Sequence, residues 1–146
     1  MSATRRSLLR AAGATGLLSA AGLPLRASAQ SPITVGVIYV GPRDDFGYNQ
    51  AQAQAAAGLK KLPGVKVVEE EKVPETVAVQ KSMEAMINQD KATLIFATSF
   101  GYFDPHMLRM AEKYPNVRFA HGGGMWTEGK HPKNAGSYFG YIDGGQ

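Results

Sequence analysis

The sequence predicts an α/β fold with a doubly wound parallel sheet. Short apolar runs alternate along the chain with segments of helical periodicity, and each run ends at a turn rich in glycine, proline or polar residues. The runs are short and rich in β-branched residues, which favours buried strands. Because strand–helix–strand units with short turns form right-handed crossovers, we expect parallel strands with helices on both faces.

Five strands are predicted in chain order. The first is apolar and β-branched, and the fifth could instead lead into a helix. The second is followed by the charged run Glu69–Lys72, which we expect to be a solvated loop. The predicted strands occupy residues 33–40, 65–68, 93–97, 117–120 and 137–142.

Three helices are predicted between the strands. The first, residues 48–62, is rich in alanine and glutamine and ends before a Pro-Gly pair. The second begins at Thr76 and carries a methionine-rich stripe that we expect to be core. The third, residues 104–113, starts with an aspartate as cap and a proline in the first turn. The stripe of the second helix consists of Val79, Met83, Met86 and Ile87.

Residues 1–29 have the features of an export signal. Thr4–Arg10 contains the twin-arginine pattern, a weakly apolar region follows, and Ala27–Ala29 supplies small residues for a cleavage site. The alternative, an amphipathic or membrane-spanning helix, is disfavoured because the region contains Arg10, several glycines and Pro24 and is only weakly apolar. We therefore expect export by the twin-arginine route, followed by one mature α/β domain over residues 30–146.

Charge and cysteine content narrow the classes of function. The formal net charge of +4 comes entirely from four arginines in residues 1–29, because residues 30–146 carry 12 Lys and Arg against 12 Asp and Glu. A balanced mature part gives no indication of nucleic-acid binding. The absence of cysteine excludes disulfides and thiolate chemistry. We expect no nucleic-acid partner and no cofactor.

Three turns should lie together at one edge of the sheet. The carboxyl ends of parallel strands share an edge, where open α/β folds bind ligands. The turns at residues 39–49, 98–104 and 121–126 follow the first, third and fourth strands. Their rings and polar groups suit a planar ligand with a polar edge, such as a nucleobase. The candidate ligand-binding residues are Asp45, Phe46, Tyr48, Asn49, Ser99, Phe100, Asp104 and Trp126.

Several of these residues have structural alternatives. Phe46 and Phe100, like Phe103, could be ordinary core residues. Asp104 could be only a helix cap. The adjacent pair Asp44–Asp45 is more typical of turn capping than of general acid and base catalysis, because neighbouring side chains rarely converge.

Other motifs carry weaker signals. The three histidines lack the close spacing of metal ligands and are expected at the surface or in turns. These are His106, His121 and His131. Gly122–Gly124 is not followed by the residues of a phosphate-binding loop, so we expect a simple turn. No serine has the context of a catalytic nucleophile. We therefore predict no metal site, no catalytic residue and no enzyme activity.

Several blocks of the sequence resemble the BMP family, also called the basic membrane protein or PnrA-like family, which comprises substrate-binding components of ABC importers. The similarity spans nearly all of residues 33–143. The resemblance implies the first lobe of a type I periplasmic binding protein, in which two α/β lobes close on a ligand. The matching blocks are Val35–Pro42, Asp45–Gln50, Thr98–Pro105, Lys113–Pro115 and Phe139–Ile142.

The resemblance also implies a function and residue roles. Better-known members bind purine nucleosides or purine bases and deliver them to an ABC permease with its ATPase. It implies Tyr48 as the stacking ring, Asn49 as a hydrogen-bond partner and Asp104 as a polar contact with base or sugar. Members often have Ser-Phe-Asn-Gln where this chain has Gly47–Gln50. Many relatives are lipoproteins anchored through a cysteine, so this cysteine-free chain is expected to be free in the periplasm, reaching the plasma membrane through the permease.

Family members are considerably longer, so the chain resembles a truncated protein consisting of the N-terminal lobe alone. A missing aromatic partner from the second lobe forfeits about 1–3 kcal/mol of stacking, so we expect weak or no ligand binding by residues 30–146. Two alternatives stay open: a ligand-sensing module of a membrane receptor, and a small flavodoxin-like enzyme. A neighbouring permease and ATPase gene pair would favour transport, whereas a neighbouring kinase gene would favour sensing.

Overall fold

The computed structural model describes residues 31–139, which form an open five-stranded sheet with helices on both faces. All strand pairs are parallel, and the strand order is β2-β1-β3-β4-β5. The predicted fold class is therefore confirmed, while the export signal lies outside the described residues. No helix within 31–139 has the length and apolar character needed to cross a membrane. The elements are β1 Ile33–Ile38, α1 Tyr48–Leu59, β2 Val65–Glu70, α2 Val77–Asn88, β3 Leu94–Ala97, α3 Leu108–Lys113, β4 Arg118–Gly122 and β5 Ala135–Tyr138.

The central strand β1 distributes its side chains between two cores. Val35 and Val37 are buried with Ala56 of α1 on one face of the sheet. Ile38 lies in the larger core on the other face, together with residues of α2 and α3. This alternation follows from the period of two in a strand and explains why β1 is apolar at nearly every position.

The methionine-rich stripe of α2 lies in the larger core, as predicted. Val79, Met83 and Met86 are buried and pack in the same cluster as Ile95 of β3. The helix begins where the sequence indicated, because the hydroxyl of Thr76 accepts a hydrogen bond from the backbone N–H of Ala78 at 3.3 Å.

Two predicted helix boundaries were wrong. The first helix ends at Leu59 and not at residue 62, because residues 60–62 form turns that lead into Val65 at the start of β2. The third helix was predicted from Asp104, whereas α3 begins at Leu108. Residues 103–107 form an irregular helical turn in which Asp104 has an extended backbone, with φ −119° and ψ 123°.

The prediction of a solvated loop for the charged run was wrong for Glu69. Strand β2 continues through this residue, whose side chain is only 8% exposed. Tyr39 donates its hydroxyl to Glu69 Oε1 at 2.9 Å, Lys60 pairs with Oε2, and Arg43 Nη1 lies 3.4 Å from Oε2. Burial alone would raise the pKa of Glu69, but the bonds from Lys60 and Tyr39 outweigh it and hold the pKa below its usual range. The cluster ties β2 to α1 and to the turn before it.

The fifth strand was predicted at residues 137–142, whereas β5 spans Ala135–Tyr138 and residues 140–142 lie outside the described part of the chain. The connection from β4 to β5 is anchored by Asn134. Its Nδ2 donates to the carbonyl oxygens of Ala111 at 3.0 Å, Tyr114 at 3.1 Å and Val117 at 2.8 Å. One side chain thus joins the end of α3 to the strand pair beyond it.

Candidate ligand-binding site

The three predicted turns meet at the carboxyl edge of the sheet. The hydroxyl of Tyr48, the first residue of α1, donates to the carbonyl oxygen of Thr98 after β3. Gly122 ends β4 beneath them, since a Cβ there would lie 3.1 Å from Tyr48 Oη and 3.3 Å from Thr98 O. The β1–α1 turn therefore lies across the ends of β3 and β4, which places candidates from separate parts of the sequence on one surface.

Asp45 organises the β1–α1 turn. Its Oδ1 accepts from the backbone N–H groups of Gly47 at 2.9 Å and Gln50 at 3.0 Å. Its Oδ2 accepts from the backbone N–H of Asn49 at 3.1 Å and from Asn49 Nδ2 at 2.8 Å. The bonds from Gln50 and Asn49 lower the pKa of Asp45 to about 2, because they stabilise the charged carboxylate. Turn capping, rather than acid–base chemistry, is thus what this aspartate does in the structure.

Asn49 is part of the same turn and is only 7% exposed. Besides its bond to Asp45, its Oδ1 accepts from the backbone N–H of Gly41 at 3.3 Å. A Cβ at Gly41 would lie 2.6 Å from Asn49 Nδ2, so this close approach requires glycine. Asn49 therefore supports the turn from within, and its direct contact with a ligand stays a prediction.

The phenylalanines near the edge fall into two groups. Phe46 is 94% exposed and Phe100 is 65% exposed, so neither is a core residue. Phe46 also has a φ of 55°, a conformation that is uncommon outside glycine. Phe103 and Tyr102 are buried, and the Tyr102 hydroxyl donates to the carbonyl oxygen of Val73 at 2.5 Å. The core alternative is wrong for the first two rings and right for Phe103.

The last two candidates differ in their freedom to contact a ligand. Trp126 packs partly against the larger core and donates its Nε1 to the carbonyl oxygen of Pro132 at 3.1 Å, so it stabilises the β4–β5 connection. Asp104 is exposed, and its carboxylate makes no hydrogen bond or ion pair within residues 31–139. The predicted capping bond is therefore not formed, and this carboxylate is available for an external donor.

The expectation that all three histidines lie at the surface or in turns was wrong for His106 and His121. His106 is buried, with its Nδ1 2.8 Å from Gln80 Nε2. His121 is fully buried at the end of β4 and its ring lies 5.2 Å from that of Phe103. The cause is strand alternation, which turns His121 towards the side of the sheet that α3 covers, opposite Gly122.

His121 holds the end of β3 in place. Its Nε2 donates to the carbonyl oxygen of Ser99 at 2.6 Å, and in the neutral ring Nδ1 is then an acceptor. This Nδ1 is buried and has no hydrogen-bond partner among the described residues. Burial lowers the pKa of His121 below its ordinary value because the charged ring would lose its hydration.

We expect stability to fall as the pH drops below about 6.5, the ordinary histidine pKa. Since the folded-state pKa of His121 is lowered, its contribution is fully present above that value and is lost as the pH falls towards the folded-state pKa, at up to about 1.4 kcal/mol per pH unit. Urea unfolding at pH 7.5, 6.5 and 5.5 measures this slope. The His121→Gln variant is the control: the difference in free energy of unfolding between wild type and variant should narrow with acid. An equal slope in both proteins would contradict the prediction.

The sequence reasoning missed Glu75, which lies in the β2–α2 loop at the same edge of the sheet. Its Oε1 accepts from the hydroxyl of Ser99 and from the backbone N–H of Gly101 at 2.8 Å. These bonds, that from Ser99 first, hold the pKa of Glu75 below its usual range. The sequence did contain a signal for this residue, because Glu75 is a carboxylate in a turn that follows a predicted parallel strand.

No group of three or more His, Asp or Glu side chains within residues 31–139 is arranged to hold a metal ion. A cavity of about 190 Å³ lies between α1 and the sheet and reaches Thr98 at the carboxyl edge, but its lining is mostly apolar and uncharged. We therefore locate the candidate site at the edge of the sheet. The cavity is lined by Val37, Gln52, Ala55, Ala56, Leu59, Phe96, Thr98 and Tyr138.

Comparisons with known proteins agree with this fold. Residues 33–143 match the family described as ABC transporter substrate-binding protein PnrA-like, or Bmp. A purine-binding protein of Brucella abortus (strain 2308) is 37% identical over 122 residues, which cover 81% of this chain and 34% of the relative. The chain thus spans about a third of the length of that relative.

Solved structures show the same architecture. An ABC transporter solute-binding protein from Aeropyrum pernix K1 superposes with a TM-score of 0.59 at 28% identity, covering 74% of this chain and 28% of that one. A fragment of a lipoprotein, so described, from Peptoclostridium difficile 630 gives 0.59 at 20% identity and covers 73% of this chain and 84% of that one. The second likeness, at low identity, concerns the fold alone. Because the family model matches residues 33–143 and the relative of Brucella abortus is 37% identical, the chain belongs to the PnrA-like family of ABC transporter substrate-binding proteins.

Proposed function

We propose that the chain forms the first ligand-binding lobe of a periplasmic solute-binding protein that delivers purine bases or nucleosides to an ABC permease and its ATPase. Export through the signal in residues 1–29, by the twin-arginine route, would bring it to the periplasm. Support for the transport role comes from membership of the family, and support for a purine ligand comes from the relative of Brucella abortus.

The observation that carries the proposal is the combination of exposed rings and a free carboxylate at one edge. Phe46 and Phe100 present apolar faces to solvent, and Asp104 presents an acceptor that no residue within 31–139 uses. Stacking on rings together with hydrogen bonds at the rim is the chemistry that binds a nucleobase. Tyr48 contributes a ring fixed by its bond to Thr98.

The test is a titration of adenine, adenosine and guanosine followed by NMR, on the chain of residues 1–146 and on the longer polypeptide if the reading frame continues. We expect weak purine binding by the chain and larger shifts at the carboxyl edge than elsewhere. Thymidine, a pyrimidine nucleoside, should bind more weakly. Equal shifts with thymidine, or shifts confined to the opposite edge, would contradict the proposal.

Asp104→Ala should weaken purine binding roughly tenfold or more, because a hydrogen bond to a charged acceptor is lost. The matched control is Asp90→Ala, since Asp90 lies between α2 and β3 at the opposite edge and its nearest cation, Lys66, is 3.9 Å away. Unchanged affinity in the Asp104 variant, or an equal loss in both, would remove Asp104 from the site.

A further inference from the structure

The carboxylate of Glu75 connects two segments that are distant in the sequence. Glu75 follows β2, yet its Oε1 accepts two hydrogen bonds from the residues after β3, one from the Ser99 hydroxyl and one from the Gly101 N–H. A Cβ at Gly101 would lie 2.5 Å from the carboxyl carbon of Glu75. The carboxylate is therefore packed directly against this backbone, and glycine makes room for it.

The bond to Glu75 determines what Ser99 can offer to a ligand. A serine hydroxyl has one hydrogen and two lone pairs, whereas an ionised carboxylate can only accept. The single hydrogen of the Ser99 hydroxyl is therefore committed to Glu75, and only acceptor capacity remains. Ser99 is only 8% exposed, so a ligand can reach little of this residue. The direction of its hydroxyl therefore determines which group it presents to the ligand.

The rest of Ser99 is equally constrained. Its carbonyl oxygen accepts from His121 Nε2 at 2.6 Å and from the backbone N–H of Tyr102 at 3.0 Å. With both the backbone and the hydroxyl held, the residue cannot rotate its hydroxyl towards a ligand without breaking the bond to Glu75. The site is thus preorganised at this point.

We propose that Glu75 is a positioning residue that makes Ser99 an acceptor-only contact, so that the edge selects ligands presenting an N–H or O–H donor there. This inference rests on the proposed function. Among purines it favours a base with an exocyclic amino group, such as adenine, over one with an oxo group at the same position, such as hypoxanthine. Glu75 itself acts through Ser99 and not by contact with the ligand.

The experiment compares adenine with hypoxanthine by NMR titration, in the chain and in any longer polypeptide. We expect wild type to prefer adenine by about threefold to tenfold, the range of one neutral hydrogen bond. In Glu75→Ala the hydroxyl can rotate and donate, so the preference should fall towards one. Glu75→Gln keeps an oxygen that can accept both bonds and should retain the preference, although the charge is gone.

Three further variants complete the test. Ser99→Ala should lose the preference, and adding Glu75→Ala to it should change nothing more, because Glu75 acts through Ser99. Glu112→Ala, an exposed glutamate on α3, is the matched control and should behave as wild type. An unchanged preference in Glu75→Ala, or an equal loss in Glu75→Gln, would overturn the inference.

Failure of the purine proposal gives a different result. If wild type binds thymidine but neither base, the purine assignment falls. In that case, and equally if no ligand binds the chain, amide exchange of Gly101 decides the role of Glu75 without any ligand. Faster exchange in Glu75→Ala but not in Glu75→Gln would support the positioning role for a ligand of another class. Equal exchange in all three proteins would overturn it.

Discussion

Replacing Asn134 by aspartate is expected to lower the free energy of unfolding by roughly 2–4 kcal/mol. The partly buried side-chain amide, a hydrogen-bond donor, would become a charged carboxylate that can only accept and has no donor nearby. Asn134 Nδ2 donates to three backbone carbonyl oxygens, those of Ala111, Tyr114 and Val117. Aspartate has nearly the same shape but would set a carboxylate oxygen against these three oxygens. Urea unfolding at pH 7 measures the change.

Two controls separate charge from shape. Asn134→Ala removes the donor without adding a charge and should cost less, about 1–3 kcal/mol. Asn88→Asp makes the same chemical change at an exposed position on α2, where Nδ2 donates to the Tyr114 hydroxyl at 3.1 Å, and should cost little. If Asn134→Asp were no more destabilising than Asn88→Asp, the three-carbonyl anchor would have no energetic importance.

The position of Asn134 links this anchor to the candidate site. Its carbonyl oxygen accepts from the backbone N–H of Phe119 in β4 at 2.8 Å, immediately before the paired residues of β4 and β5. Further along, the N–H of Gly123 donates to the carbonyl oxygen of Tyr138 at 2.9 Å. Loosening the anchor should therefore also increase amide exchange at Gly123, at the edge of the sheet that carries the candidate site.

Replacing Asp45 by alanine is expected to unwind the first turn of α1 and, on the proposed function, to weaken purine binding at least tenfold. The carboxylate accepts four hydrogen bonds from the β1–α1 turn and the start of α1, so its removal leaves several N–H groups without an internal acceptor. Faster amide exchange at Asn49 and Gln50, measured by NMR, reports the unwinding. The same titrations with adenine report the loss of affinity.

Asp45→Asn is the control variant. Its single side-chain oxygen can still accept some of the four hydrogen bonds, so the loss of purine affinity should be intermediate. Because the folded-state pKa of Asp45 is about 2, below the ordinary 3.8, its contribution to stability is fully present above pH 3.8 and is lost as the pH falls towards 2, where the folded carboxylate is itself protonated. Amide exchange at Asn49 that remains slow in Asp45→Ala would show that the turn does not depend on this carboxylate.

The fold could be predicted because its signals are local. The alternation of β1 and the stripe of α2 each depend on neighbouring residues, and both are where the sequence placed them. Parallel pairing followed from the order of the elements, and it brings the predicted turns to one edge. The fold class could therefore be predicted from short sequence patterns and from the order of the elements.

The misassigned residues depend on partners far along the chain. Glu69 is polar in a polar run, and its proximity to Tyr39, Lys60 and Arg43 makes a buried strand position tolerable. His121 is buried because it faces Phe103 and the carbonyl oxygen of Ser99. Tyr39 lies 30 residues from Glu69, and Ser99 lies 22 residues from His121. Local patterns do not reveal such pairs, so Glu69 was assigned to a solvated loop and His121 to the surface or a turn.

The sequence identified the candidate-site residues but not their exposure or their hydrogen-bond partners. Exposure of Phe46 and Phe100 could not be decided from sequence, because an aromatic residue after a strand is common in both cores and sites. Asn49 was assigned a contact with ligand by resemblance, whereas in the structure its amide bonds to Gly41 and Asp45. Its ligand contact is still a prediction.

Within residues 31–139, the two outer strands of the sheet differ in a way that matters for self-association. Strand β2, at one border, carries the exposed charges Lys66 and Glu70, and a second chain would have to desolvate them to pair there. Strand β5, at the other border, is the uncharged segment Ala135–Tyr138. Unwanted intermolecular β-pairing, and with it aggregation on storage, should therefore begin at β5, and a lysine introduced on that strand is the rational way to suppress it.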